Sequence, residues 1–321
     1  MGAAKQPPAI PPEPIELIET DVASEAFGPE QVLEDRIGAF SPSILATDAL
    51  ELREILQGFF ERIKPDAWLR RTERRPGGWT LHETVAHIEA VTGGYLYAVE
   101  AGLAGRSPEI PGLSQRRDLA NWNRAQIAAR AEQEPQALCA AILEQLSLLA
   151  RIAGSLTPDP LTRSVPTPMY GGDATIGELL GGALTHIGIV HGAQLAQGAR
   201  SQPIWIWYRA GMMRRQLTRF FHLMGLAYWP ERGGSLHATI AFSASGSGGG
   251  SWYVRVAPSG GYGRIGRVRT ADLTLEFASV DLLCRAITLH VRPLRYLLLR
   301  QIKLRGNLRL ATRFGRYFIP T

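Results

Sequence analysis

The sequence predicts an α+β protein in two parts. An all-helical four-helix bundle spans residues 44–200, and a small α+β domain with a five-stranded sheet spans 235–321. Three observations carry this expectation. Apolar residues recur every three to four positions in the helix candidates from about residue 48 onward. After Gly233-Gly234 the apolar period drops to two. Charge divides near the same place: from Ile204 onward there are 18 Lys+Arg against 4 Asp+Glu, while the first 203 residues hold 17 against 25. A chain of 321 residues suits two domains at roughly 100–200 residues each.

Taken in order, residues 1–43 read as an extended N-terminal tail: 1–15 are Pro-rich and lack periodicity, and 16–43 carry weak helical signals that define no element. The first helix is expected over 48–63, with Leu52, Ile55, Leu56, Phe59, Phe60 and Ile63 on one stripe; Lys64-Pro65 ends it. The second opens at Thr80, which with Glu83 makes a capping box, and continues through Val85, His87, Ile88, Val91 and Tyr95. The third covers about 120–153, broken or kinked at Pro135. A Pro-rich loop follows. The fourth opens with a second capping box, Thr175 with Glu178, and runs to about Gln197. Four amphipathic helices over this length read as a bundle. Residues 201–234 form a connecting helical segment. Beyond it, strands alternate around glycine turns as an antiparallel meander, with helices at 280–288 and 293–299, a short strand at 301–305 and a last helix to about 318.

Composition narrows the function. Hydrophobic residues at 45% and charged residues at 20% describe an ordinary soluble globular protein. No stretch reaches ~18 uninterrupted apolar residues, so no membrane span is expected. The first residues carry no apolar run to act as a signal peptide, and Gln6 stands where myristoylation wants Ser or Thr. The expected location is the cytoplasm. Cys139 and Cys284 sit in apolar contexts and read as buried small hydrophobes. The basic second part could face an anionic membrane, nucleic acid or the acidic first part. It has neither a helix-turn-helix nor aromatic residues spaced between its cations as a stacking platform, so no nucleic-acid partner is expected. There is no Ser/His/Asp constellation and no CxxC; Gly246–Gly250 is a hairpin turn, with no helix after it to hold a phosphate.

Two stretches carry family likenesses. Ala271-Asp-Leu-Thr-Leu-Glu-Phe-Ala, Val280-Asp-Leu-Leu and Gln301-Ile-Lys-Leu-Arg-Gly-Asn-Leu-Arg-Leu-Ala-Thr-Arg-Phe, in that order, resemble the sterol carrier protein family. The resemblance implies a five-stranded sheet with helices on one face and an apolar tunnel between them. Ile240, Phe242, Trp252, Val254 and Phe277 would line such a tunnel, and Leu282, Leu283, Ile287, Leu297 and Leu298 would close it. Each buried CH₂ of an acyl chain gains roughly 0.8 kcal/mol there. The same side chains would equally fill a solid core. Arginines 295, 300, 305, 309, 313 and 316 are dense enough to fix an anionic head group or to meet an anionic membrane peripherally.

Gly78-Trp-Thr-Leu-His-Glu-Thr-Val-Ala-His-Ile, Asn121-Trp-Asn123, the Gly-Gly-Asp-Ala-Thr-Ile-Gly-Glu-Leu-Leu stretch and His191-Gly-Ala-Gln-Leu resemble the DinB/maleylpyruvate isomerase superfamily. That likeness implies a four-helix bundle, a divalent metal of the zinc or nickel class, and in several members a low-molecular-weight thiol as cosubstrate. Carried over, His87 is the second-helix ligand and His191 the last ligand of the fourth. The position four before His191 is Ile187, which cannot ligate. His186 lies five before it, about 140° away on an ideal α-helix, and rejoins the site only through a π-bulge. Glu83, four before His87, is the other candidate third ligand. His82, His222, His237 and His290 match no ligand position.

Two functions follow. The first is binding or transfer of an apolar, lipid-like ligand (fatty acyl, acyl thioester or sterol-like) by the C-terminal domain, with the bundle as scaffold. The alternative is a metal-dependent, thiol-linked transferase or isomerase acting on a hydrophobic substrate.

Overall fold

The computed structural model describes residues 38–73, 78–170, 172–288 and 293–318. Most of the expected tail, and His290, lie outside these residues. The tail's last residues belong to the fold instead: Ala39 is fully buried and helix α1 begins at Pro42.

The bundle consists of α1 (Pro42–Phe60), α2 (Leu81–Leu103), α3 (Leu119–Ala128), α4 (Pro135–Ser155) and a glycine-rich fourth arm. Pro135 sits in the first turn of α4, where a missing N–H costs nothing, so the expected kink is a clean break into two helices. The fourth arm is α5 (Ile176–Thr185), a π-helical turn His186–Val190, and α6 (Gly192–Ala199). Both capping boxes form, Thr80 with Glu83 and Thr175 with Glu178. The stretch read as a Pro-rich loop contains a hairpin, β1 (Ser164–Thr167) with β2 (Gly172–Thr175), which carries Met169 and Tyr170 against the bundle.

Helices Pro135–Ser155 and Ile176–Ala199, the latter joining α5, the π-turn and α6, have the length and apolarity of membrane spans. Uninterrupted apolarity did not single them out, because each carries spaced polar residues. In Ile176–Ala199, 89% of the most apolar window is buried inside the fold, as in a core helix.

Helix α7 (Ala210–Leu226) leads to a sheet of β3 (Ala238–Ala244), β4 (Gly250–Ala257), β5 (Gly260–Ile265), β6 (Leu273–Phe277) and β7 (Ile302–Gly306). Helices α8 (Val280–Ile287), α9 (Pro293–Leu298) and α10 (Leu308–Arg313) complete the chain. Strand order is β5-β4-β3-β6-β7. The meander expectation fits β3, β4 and β5. β6 departs from it: it crosses over to lie parallel to β3, and β7 pairs antiparallel with β6.

One sheet face is closed by α7, so this helix is the core helix of the sheet rather than a connector. The Phe221 ring lies tilted 4.6 Å from Phe242 and stacks 5.3 Å from Trp252. The Trp252 indole donates to Thr218 Oγ1 at 3.1 Å. Backbone meets backbone at Gly225 and Gly263: a Cβ on Gly263 would stand 1.8 Å from the Phe221 carbonyl oxygen, so only glycine fits. Ile240, Phe242, Trp252, Val254, Phe277, Leu282 and Leu283 are buried, the first four on the strand face that α7 covers, and they serve as packed core. Ile287 and Leu297 are partly buried against that core, and Leu298 is 77% exposed, so it closes nothing.

Bundle and sheet are tied by charge. Asp48 of α1 is fully buried and takes both Arg215 and Arg219 of α7, the second at 2.6 Å. Arg219, also fully buried, donates from Nε to the Ala39 carbonyl at 2.6 Å. His222 stands 2.6 Å from Glu178. Arg116 donates to the carbonyls of Ala227, Tyr228 (2.9 Å) and Phe318. Asp48→Ala leaves two arginines facing an uncharged site, one of them with no water to replace the carboxylate. It should cost about 3–5 kcal/mol of unfolding free energy by denaturant titration. A loss below about 1 kcal/mol would show that the cluster does not hold the two parts together.

Candidate metal centre

The π-turn is the local feature that builds the site. The His191 N–H donates to the His186 carbonyl at 3.1 Å, five residues back, where an α-helix would reach four. The extra residue turns His186 onto the side of the arm that carries His191. α2 brings His87 from across the bundle. The His186 Nε2 stands 3.2 Å from His87 Nε2 and 3.0 Å from His191 Nε2, and the three ligand atoms lie within 4.8 Å of one another. Tetrahedral ligands at about 2.0–2.1 Å from a zinc-sized ion stand roughly 3.3 Å apart, so the spacing suits one ion.

The protonation states suit it as well. Burial holds the His87 and His186 imidazoles well below the ordinary value of 6.5, and the neighbouring rings push the same way. Both are therefore neutral at pH 7, as a ligand must be. For His191 a hydrogen-bond chain fixes the tautomer. Gln194, one turn on, donates through Nε2 to Glu73 Oε1 at 2.7 Å, which turns its Oε1 toward His191 Nδ1. His191 then carries its proton on Nδ1 and presents a bare Nε2. His87 Nδ1 and His186 Nδ1 are buried with no hydrogen-bond partner among the described residues.

Around the triad, the Trp79 ring lies 4.6 Å from His87 and stacks 6.5 Å from His191. Tyr95 lies 6.4 Å from His186 and shares a 2.9 Å hydroxyl contact with Tyr170. Burial pushes Tyr95 up to about 12 and Tyr170 well above its ordinary value, so both remain protonated phenols. Tyr208 donates to the Gly188 carbonyl inside the π-turn at 3.2 Å, and its hydroxyl would stand only 2.6 Å from a Cβ on residue 188. An open groove of about 760 Å³ is bordered by Trp68, Trp79, Glu83, Arg124 and Pro135; none of the three histidines lines it, and Trp79 is the residue that borders it and also packs on His87 and His191.

Of the two candidate third ligands, the structure places His186 in the cluster. Glu83 is committed elsewhere: its carboxylate accepts the Thr80 N–H at 2.7 Å in the capping box. His82 lies 2.8 Å from the Gln133 carbonyl, His222 pairs with Glu178, and His237 is exposed. Both cysteines are buried and free, with thiols pushed up by desolvation, Cys139 to about 12. Sequence reasoning missed Gln194, Glu73, Tyr170 and Tyr208 as site residues. Only Gln194 carried a signal, its three-residue spacing from His191.

Residues 50–195 match the sequence profile of the DinB superfamily. They form a DinB-like domain. The match ends before the sheet and does not reach the stretch that resembles sterol carriers. No curated protein matches the chain in sequence. Among solved structures, the chain is similar to the mycothiol-dependent maleylpyruvate isomerase at 13% identity, covering 75% of this chain and 86% of that one with a TM-score of 0.49. A point mutant of that enzyme gives 12% identity with the same coverage and score. The sec-alkylsulfatase Pisa1 from Pseudomonas sp. follows at 14%, covering 63% of this chain and 43% of that one, with a TM-score of 0.29. The DinB-like domain holds all three histidines.

The buried imidazoles make stability depend on pH in one direction. Unfolded, His87 and His186 take up protons as pH falls through about 6.5; folded, they do not until much lower pH. The unfolded state then binds more protons, so the metal-free protein should lose stability progressively below about pH 6.5. Thermal melts of metal-free protein between about pH 7.5 and 5.5 should show this, and a His87→Gln/His186→Gln variant should show a flatter profile. Equal slopes for the two proteins would contradict the assignment.

Proposed function

We propose that this protein is a metal-dependent enzyme of the thiol-linked transferase or isomerase type, acting on a hydrophobic substrate through its DinB-like domain. The observation that carries the reading is the convergence of His87, His186 and His191, three neutral or tautomer-fixed imidazoles from two helical arms. Three protein ligands, one short of the four that close a structural zinc site, is the pattern of catalytic sites. A divalent ion held there would act as a Lewis acid and lower the pKa of a bound thiol or water.

The chain's own residues supply the rest. Gln194 and Glu73 orient His191. The Trp79 ring covers one side of the triad and shields it from water. Tyr95 and Tyr170, as protonated phenols, offer hydrogen bonds to a developing negative charge on the substrate. The groove beside Trp79 has apolar walls at Trp68, Ile127 and Pro135 that suit a hydrophobic substrate. The carrier reading of the C-terminal domain has less behind it, because α7 occupies the sheet face on which the ligand would lie.

Metal analysis tests the proposal. Protein purified without chelator, or reconstituted with zinc or nickel, should hold a stoichiometric ion. His87→Ala and His191→Ala should each lose it together with any thiol-dependent turnover. Wild-type protein that retains no metal after reconstitution would overturn the reading. Gln194→Leu should keep the fold and weaken metal affinity about 10–100-fold, the usual effect of removing a partner that orients a ligand. Unchanged affinity in a competitive chelator titration would show that Gln194 does not orient His191.

A further inference from the structure

Helix α9 and the turn after it are amphipathic the wrong way round for a soluble domain. Tyr296 and Leu297 pack toward the core, while Leu294, Leu298 and Leu299 are 69%, 77% and 56% exposed. Leu294 and Leu298 are four residues apart and share a face of the helix. Single exposed leucines are common on soluble proteins, but three within six consecutive positions make a patch. Arg295 and Arg300 are exposed within the same stretch. Arg300 has left-handed backbone, φ 54°, and ends the helix beside the patch.

The stretch of chain that carries this patch is one-sided in charge. Residues 282–321 contain nine Lys+Arg and no Asp or Glu. Arg285 pairs with Asp281 at 2.9 Å, but Glu276, on the neighbouring strand, reaches Lys303 and Arg305 only at 4.0 and 3.9 Å, and residues 282–321 hold no acid for the rest. A soluble anion would need the cations and have no use for the leucines. An apolar protein partner would need the leucines and have no use for positive charge spread over forty residues. An extended anionic surface with an apolar interior uses both.

We infer that α9 and its following turn dock this protein peripherally on an anionic phospholipid surface, with Leu294, Leu298 and Leu299 entering the headgroup boundary and the C-terminal arginines facing lipid phosphates. This is the geometry of interfacial helices, in which apolar contact and attraction to anionic lipid add. The inference does not depend on the metal centre.

Co-sedimentation of the full chain with vesicles is the test. Binding is expected with phosphatidylcholine vesicles containing phosphatidylglycerol, and should be weak with phosphatidylcholine alone and at high salt. Leu294→Ser/Leu298→Ser alters only exposed side chains and should lower the partition coefficient about tenfold or more. Arg300→Gly removes a charge at a position whose backbone suits glycine, and should lower it by roughly fivefold. The same variants should keep the melting temperature and metal content of the wild type. No binding to anionic vesicles would overturn the inference. So would binding that the leucine pair does not affect, which would mean plain electrostatic adsorption. A concentration-dependent dimer that the leucine pair abolishes, with no vesicle binding, would assign the patch to a second copy of the chain instead.

Discussion

The hydrogen bond from the His191 N–H to the His186 carbonyl sets the geometry on which the candidate centre depends. On an unbroken α-helix His186 and His191 would point about 140° apart and could not share an ion. One inserted residue removes that separation. A π-turn is ordinarily less stable than the α-helix it interrupts, so something must hold it. Tyr208 does part of this by donating to the Gly188 carbonyl, in the middle of the turn. Thr185, just before the turn, donates to Gln216 Oε1 at 3.2 Å. Gly188 and Gly192 let Tyr208 and Trp205 approach to distances that any Cβ would block.

Trp205 and Tyr208 belong to the segment just before α7, and Gln216 to α7 itself. The histidine triad is built from bundle residues, yet its irregular turn is braced from outside the bundle. α7 performs two tasks with opposite faces. Leu217 and Phe221 pack in the sheet's core, while Arg215, Arg219 and Gln216 reach back to Asp48 and Thr185. The Asp48 cluster therefore bears on the site at a distance: it holds α7 in place, and α7 with its preceding segment holds the π-turn. Trp205 extends the connection by donating to Asp281 of α8 at 2.8 Å.

Much of this was legible in the sequence because it is local. The capping boxes at Thr80 and Thr175, the break at Pro135 and the drop of the apolar period after Gly234 are short-range signals, and the elements follow them. His87 and His191 were legible through their motifs, and the five-residue offset of His186 already required a π-bulge if it was to ligate. What was not legible depends on long-range placement. The parallel pairing of β6 with β3 comes from a crossover that leaves no local mark. Tyr170 reaches Tyr95 only because Ser164–Thr167 pairs with Gly172–Thr175. The alternation of Ile240 and Phe242, and of Trp252 and Val254, showed that one sheet face is buried, but not that α7 would cover it. A connecting helix and a core helix have the same periodicity; Gly225 and Gly263 decide between them, and their meaning appears only when the two backbones meet.

The charge asymmetry of the chain resolves into two parts with different consequences. Arg215 and Arg219 belong to the basic part by sequence, but their charge is spent inside the molecule on Asp48, an acid of the other part. Here opposite charges join two units that composition alone could assign to different partners. Among the cations after Leu282, Arg285 pairs with Asp281, and Lys303 and Arg305 reach Glu276 only at 4.0 and 3.9 Å; that stretch holds no acid of its own and carries leucines that the fold leaves in water. Keeping Leu294, Leu298 and Leu299 exposed forgoes roughly 1.5–3 kcal/mol of burial for each, at positions where Ser or Lys would cost nothing. Placed at the outer edge of the sheet, on the far side of α7 in sequence from the histidines, that surface can carry a contact of its own without disturbing the turn that shapes the metal centre.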